Sequence, residues 1–121
     1  MIRHALWILA AMAALAIGAG ASAATTNQTA VQAQGTEFRI SLSRTKIKPG
    51  RLRLEFVNYG EDTHDLAIRR VGTSTVRNVG TTLPGKRSVG RYTVKAGTYM
   101  LWCTIADHRS RGMRATLKVR R

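Results

Sequence analysis

The sequence has few of the residues that small proteins use for covalent or acid–base chemistry. Its 121 residues contain one cysteine, two prolines, three histidines and only six acidic residues, against 20 lysines and arginines. A single cysteine excludes an internal disulfide. The few carboxylates form no paired pattern for general acid–base catalysis, and no glycine-rich phosphate-binding motif or Ser-His-Asp set is present. These absences favour a protein that is not an enzyme.

The N-terminal stretch differs in composition from the rest of the chain. A short basic start precedes an uncharged apolar run over residues 5–17, and small residues follow at positions 21–23. This pattern predicts a secretory signal peptide over residues 1–23. The run is short for a membrane span, which needs about 20 residues, but an uncleaved anchor stays open because residues 18–24 are also uncharged. We therefore expect a secreted or periplasmic protein.

The remaining residues predict one all-β domain. Residues 24–35 are small and polar without periodicity, which predicts a flexible linker. From residue 36 to residue 121, short segments alternate apolar and polar side chains, with turn signals every 8–12 residues or so. This pattern favours a β-sandwich or barrel. The predicted strands are 36–43, 51–58, 64–70, 75–79, 87–94 and the segments on either side of residues 103–113.

The only cysteine lies close to two other soft metal ligands. Cys103 is followed by His108 and then by Met113, each five positions further along. Thiolate and thioether select copper(I) or similar soft ions, and imidazole suits copper in either oxidation state. His64 is the other histidine outside the extreme N-terminus, and it lies on the apolar face of its predicted strand. Together the four residues predict a metal site, although each alone fits ordinary core packing.

An unpaired cysteine in a secreted domain needs an explanation. An intermolecular disulfide, a reactive thiol and a metal ligand all stay open for Cys103. The neighbouring histidine and methionine favour the metal ligand.

The chain resembles the cupredoxins, the small type 1 copper proteins, from about residue 36 to residue 119. The resemblance rests on Asn58-Tyr59-Gly60, Thr63-His64, Gly97-Thr98-Tyr99 and the Cys103, His108, Gly112-Met113 series. It implies a Greek-key β-sandwich of about seven to eight strands that holds one copper ion. His64, Cys103 and His108 would be equatorial ligands and Met113 the axial one. The implied function is the transfer of single electrons between redox partners through Cu(I) and Cu(II).

The resemblance also implies residues that support the ligands. Asn58, Asp65 and Thr104 would lie around them, and Asp65 would bond to Thr104. Two positions depart from the family pattern: Asp65 replaces a frequent asparagine, and Ala106-Asp107 replaces a frequent Pro-Gly pair. Both changes are expected to place a carboxylate near the metal.

The formal net charge of +14 raises the question of partners. Much of the charge lies on outward positions of predicted strands, which favours solvated faces over nucleic-acid binding. Arg109, Arg111 and Arg114 lie within or beside the ligand loop, and we expect them to attract a redox partner with an acidic docking face. Trp102 lies where some cupredoxins carry a docking aromatic, although strand packing explains it equally well.

Other partners and functions stay open at this stage. An anionic membrane or cell-wall surface would also suit the charge, and we expect a monomer. A copper carrier or storage protein would use similar ligands, and a cupredoxin-like module without metal is the third alternative.

Overall fold

A computed structural model describes residues 18, 20–22 and 27–121. The predicted signal peptide therefore lies almost entirely outside the described residues. None of the described residues forms a helix long and apolar enough to cross a membrane. The described residues form nine strands: β1 (Gln28–Thr36), β2 (Arg39–Leu42), β3 (Lys46–Ile47), β4 (Gly50–Asn58), β5 (Ala67–Arg70), β6 (Val76–Asn78), β7 (Arg87–Val94), β8 (Gly97–Trp102) and β9 (Arg114–Val119).

The strands form two sheets that enclose one core. One sheet has the order β2-β1-β4-β7 and the other the order β3-β9-β8-β5-β6. Neighbouring strands are antiparallel except in the pairs β1–β4 and β3–β9, which are parallel. The predicted all-β sandwich is thereby confirmed. The two strands beyond the seven predicted segments are β1 and the two-residue β3.

Strand β1 corrects the prediction of a flexible linker over residues 24–35 from Gln28 onwards, and residues 24–26 lie outside the described residues. It lies inside its sheet, between β2 and β4. Val31 and Ala33 are 1% and 0% exposed and belong to the core. The alternation was hidden because the inward residues Val31, Ala33 and Gly35 are small, which gives a weak hydrophobic signal. Strand β1 is held by pairing with β4 on one side and β2 on the other, and its local composition does not predict this pairing.

The core consists of alternate residues from both sheets. Leu52, Leu54 and Phe56 of β4 are fully buried, and they share one cluster with Leu101 of β8 and Leu117 of β9. Burial of each such side chain stabilises the fold by about 1.5–3 kcal/mol. The packed core therefore holds the ends of the strands in place.

One end of the sandwich gathers the segments that carry the predicted ligands. Strands β1, β4 and β8 end there, and β5 and β9 begin there, as the pairing registers show. The turn at residues 37–38, the segment 59–66 and the loop 103–113 consequently meet at this end, which we call the ligand end. The opposite end holds the starts of β1 and β4 and the end of β9.

Candidate metal centre

Three of the predicted ligands converge at the ligand end. The Nδ1 atoms of His64 and His108 lie 3.8 Å and 3.6 Å from the Sγ atom of Cys103, and the two Nδ1 atoms are 3.2 Å apart. All three residues are buried. His64 precedes Cys103 by 39 residues, so the fold alone brings them together.

The three donor atoms fit one metal ion. A point equidistant from them lies about 2 Å from each, close to the roughly 2.0–2.3 Å at which imidazole nitrogen and thiolate sulfur bind zinc. Two facing imidazole nitrogens can share only one proton, whereas a cation would satisfy both lone pairs and the sulfur. Two histidines and one cysteine in a trigonal arrangement are the donor set of type 1 copper.

Met113 lies in the same buried cluster as Cys103. Its carbonyl accepts a hydrogen bond from the N–H of Cys103 at 3.1 Å, and its N–H donates to the carbonyl of His108 at 3.0 Å. Gly112 has a φ of +115°, in the region that favours glycine, and it turns the chain into β9. The loop thus ties three of the four predicted ligands together through its own main chain.

Burial sets the protonation of the cysteine. It raises the pKa of the Cys103 thiol above its usual value, an effect that outweighs the N–H groups of Asp65 and Ile105. Without a metal, the sulfur therefore keeps its proton at neutral pH. Metal binding has to displace that proton, because the thiolate is the ligand.

Asp65 lies beside the site as an ionised carboxylate. It accepts hydrogen bonds from the N–H of Thr104 at 2.6 Å, from the Thr104 hydroxyl and from Asn78 Nδ2 at 2.8 Å. Burial raises the pKa of Asp65, but the hydrogen bonds from Thr104 and Asn78 outweigh it, and the pKa is lowered. The structure thus contains the Asp65–Thr104 pair expected from the sequence.

Asp107 does not join this arrangement, contrary to the expectation of a second carboxylate near the metal. Its side chain is 66% exposed, and its nearest cation is Arg111 at 4.0 Å. The preceding Ala106 has a φ of +45°, a backbone conformation that residues other than glycine rarely adopt. The Asp107 carboxylate therefore lies largely in solvent and not among the buried donor atoms.

Asn58 positions His64 indirectly. Its Nδ2 donates to the carbonyls of Asp62 and Thr82 at 2.8 Å and 2.9 Å, and its Oδ1 accepts from the N–H of Gly60. Thr82 in turn pairs with His64 in an isolated antiparallel bridge. The strand predicted to begin at His64 begins three residues later, at Ala67, so this bridge holds the histidine in place.

Sequence reasoning missed Glu37. Its Oε1 accepts a hydrogen bond from Nε2 of His64 at 2.9 Å, and also from the N–H groups of Glu61 and Asp62. With the ring proton on Nε2, the Nδ1 lone pair of His64 faces Cys103, as a ligand requires. The Asp62 N–H is the largest cause that lowers the pKa of Glu37 to about 2.

The position of Glu37 depends on a glycine. A Cβ atom at position 60 would collide with the Glu37 carboxylate, so Gly60 leaves the space that the carboxylate occupies. Nothing near Glu37 in the sequence points to His64, which is 27 residues away. The only available signal was the scarcity of acidic residues in the chain.

His108 has a different environment. Its ring centroid lies 4.8 Å from that of Phe38, and the guanidinium of Arg111 lies 3.9 Å from the Phe38 centroid. His108 is 8% exposed, compared with 0% for His64 and Cys103. It is therefore the ligand closest to solvent, beneath an aromatic ring and a cation.

Trp102 is covered by arginines. The guanidinium of Arg109 lies 4.4 Å from its ring centroid and that of Arg69 lies 5.8 Å away. The ring is only 8% exposed. A partner at this surface would consequently meet Arg109 before the indole. Arg114, also exposed, lies at the start of β9 on the same end of the sandwich.

Comparison with known proteins identifies related folds. No family model and no curated protein matches the chain. An auracyanin from the photosynthetic bacterium Roseiflexus castenholzii superposes with a TM-score of 0.64 at 17% identity, over 77% of this chain and 98% of that one. Auracyanin A, a "blue" copper protein from Chloroflexus aurantiacus, gives 0.63 at 14% identity over 77% and 99%. Rusticyanin from Thiobacillus ferrooxidans gives 0.61 at 19% identity over 77% of each chain. At these identities the likeness shows the fold.

Proposed function

We propose that this chain, a cupredoxin by fold, is a type 1 copper protein that carries single electrons between redox partners. The observation that carries the proposal is the convergence of His64 Nδ1, His108 Nδ1 and Cys103 Sγ within 3.8 Å of one another. A bound copper ion would supply a one-electron couple between its +1 and +2 states. The predicted signal peptide supports a secreted or periplasmic location.

The role of the protein is to hold the donor atoms in one arrangement. Glu37 and the Thr82 bridge fix the ring and backbone of His64, while main-chain hydrogen bonds fix Cys103 and His108. Ligands that are held by packing and by hydrogen-bonded neighbours are preorganised. The same arrangement can then serve both oxidation states, which favours rapid electron transfer.

The visible spectrum of the copper-loaded protein tests this function. Added Cu(II) should give an intense blue protein, because a thiolate bound to copper absorbs strongly in the visible range. Cys103→Ser should be colourless under the same conditions, since serine supplies no thiolate. Met100→Leu, which removes a sulfur atom outside the site, should stay blue.

A colourless wild type in this experiment would contradict the proposal. Tight Cu(I) binding without colour would indicate a copper carrier instead. Circular dichroism of Cys103→Ser should match that of the wild type, so that a lost colour reports the ligand and not the fold.

We also propose that the redox partner docks over His108 with an acidic surface. The three arginines of this region, Arg109, Arg111 and Arg114, are exposed, and two of them cover the aromatic rings beside the ligands. A positive surface around the most exposed ligand would raise the rate of encounter with an anionic partner.

Small redox reagents of opposite charge test the docking surface. Oxidation of the reduced protein by ferricyanide should slow as ionic strength rises, because salt screens the attraction. The double variant Arg109→Gln and Arg111→Gln should be slower than wild type at low salt, and the rate with a cationic cobalt complex should rise. Arg91→Gln with Lys95→Gln removes the same charge elsewhere and should change both rates less. Equal effects of the two double variants would contradict the proposed docking surface.

A further inference from the structure

The end of the sandwich opposite the metal centre carries a cluster of basic side chains that the proposed function does not use. A groove of about 570 Å³ opens there, next to Asn27 and Thr29. Its charged lining consists of six exposed residues, which we call the basic end: Arg44, Lys46, Lys48, Arg51, Arg120 and Arg121.

Among the residues that the structure describes, none that lines this groove is acidic. The ion pairs among the described residues include no member of the basic end. At the ligand end, by contrast, Glu37, Asp65 and Asp107 accept hydrogen bonds or pair with cations. Like charges gathered without counter-ions repel one another, and their field attracts an anionic surface.

The basic end is too far from the metal centre to attract the redox partner. Strand β4 joins the two ends, and its nine residues span about 30 Å at roughly 3.3 Å per residue. Charges on solvent-exposed side chains are screened over about 8 Å at physiological ionic strength. An anionic partner of the basic end would therefore be separate from the redox partner at the metal centre.

The course of the chain indicates which partner this is. Strand β1 begins at Gln28, in register with Arg51, so the preceding residues join the domain at the basic end. In the sequence, ten residues separate the uncharged apolar run 5–17 from Gln28. Basic residues next to an apolar segment are typical of proteins that lie on anionic bilayers. If the segment were cleaved, the new N-terminal amine would add a positive charge near this end.

We propose that the basic end binds the headgroups of an anionic phospholipid bilayer. The metal centre, at the other end of β4, then points away from the membrane, where a partner reaches His108. Binding to lipid does not depend on copper, so the experiment below can fail while the electron-transfer function holds, and the reverse.

The test uses the full chain and two vesicle compositions, phosphatidylcholine alone and phosphatidylcholine with phosphatidylglycerol. An apolar N-terminus would partition into both, so the ratio of the two affinities reports charge alone. Each basic residue near an anionic bilayer strengthens binding about fivefold. The triple variant Lys46→Gln, Lys48→Gln and Arg120→Gln should therefore bind anionic vesicles on the order of a hundredfold more weakly.

A matched triple variant distinguishes the basic end from net charge. The triple variant Arg109→Gln, Arg111→Gln and Arg114→Gln lowers the net charge by the same amount at the ligand end and should retain anionic vesicle binding within about threefold. Equal losses in the two triple variants would overturn the proposal, as would equal affinity of the wild type for both vesicle types. Tighter binding to a nucleic-acid duplex than to anionic vesicles, at equal phosphate and salt, would also overturn it. Circular dichroism should show that both variants remain folded.

Discussion

The two histidines of the metal centre lie in opposite environments. His64 is fully buried, its Nε2 donates to the Glu37 carboxylate, and it is followed in the chain by the ionised Asp65. His108 is 8% exposed; Phe38 packs against its ring and Arg111 lies over Phe38. One imidazole is fully buried and hydrogen-bonded to a single carboxylate, and the other lies beneath an aromatic ring and a cation. The first arrangement suits fixing a ligand, and the second suits meeting an anionic partner.

The two positions also depend on different parts of the chain. Apart from Cys103 and His108, the hydrogen-bond partners of His64 are Glu37 and Thr82, which are 27 residues before it and 18 residues after it. His108 bonds through its main chain to Ile105 and Met113, within its own loop. The position of His64 therefore requires the assembled sandwich, whereas the main chain of His108 is held within the short loop between β8 and β9.

Replacing each histidine in turn by glycine should separate the two roles most strongly. His108→Gly removes a ligand near the surface, and added imidazole should enter the space and restore the blue colour. His64→Gly removes a fully buried ligand, so added imidazole should restore little of the blue colour. Visible spectra of the copper-loaded variants, titrated with imidazole, measure the difference. Equal restoration of both variants would show that the two sites are equally open.

Unfolding measurements provide the control for this pair. His64→Gly should cost about 2–4 kcal/mol of stability, because it leaves a cavity and a lost hydrogen bond in the interior. His108→Gly should cost less. Chemical denaturation of the metal-free proteins measures both values, and a larger cost for His108→Gly would contradict the comparison.

Much of the fold could be predicted because its strands alternate strongly. The predicted segment 51–58 corresponds to β4, and 87–94 has the bounds of β7. Strand β1 was missed because its pattern is carried by valine, alanine and glycine, whose small side chains resemble those of a linker. Strand β1 forms because it pairs with strands that are distant in the sequence, and local composition does not predict that pairing.

The residues of the metal site also differ in how well the sequence predicts them. Cys103, His108 and Met113 are close in sequence, and their soft donor atoms predict a metal site by themselves. Glu37 could not be predicted, because an isolated glutamate belongs to no recognisable motif. Its partner, His64, lies in a different connection between strands. Neighbours that orient a ligand come from wherever the fold places them, so they require coordinates.

Changes at Glu37 should show how far the setting of His64 depends on its carboxylate partner. Glu37→Ala leaves the His64 Nε2–H without its acceptor, and loss of such a partner typically weakens metal binding about 10–100-fold. Glu37→Gln keeps an oxygen that accepts the hydrogen bond, so its loss should be smaller. Copper affinity from competition with a chelator measures both.

Two further variants make this experiment specific. Gly60→Ala should reproduce part of the Glu37→Ala effect, since a Cβ there displaces the carboxylate. Glu61→Gln changes a neighbouring carboxylate while retaining the Glu61 N–H that Glu37 accepts, and it should leave copper affinity unchanged. A Glu37→Ala protein with wild-type affinity would mean that packing alone orients His64.

Asp65→Asn should produce the smallest of these effects, a shift in reduction potential. The buried carboxylate stabilises the more positive, oxidised state of the bound ion, so its removal should raise the potential. The Asp65 carboxylate hydrogen-bonds to the Cys103 side chain, and a unit charge about 6 Å from the ion in an effective dielectric of about 20 would contribute roughly 3 kcal/mol, which for one electron corresponds to a shift on the order of 100 mV. Asp107→Asn is the matched control, because water screens its exposed carboxylate, and voltammetry should show a much smaller shift. Similar shifts in both variants would mean that Asp65 affects the potential no more than an exposed carboxylate does.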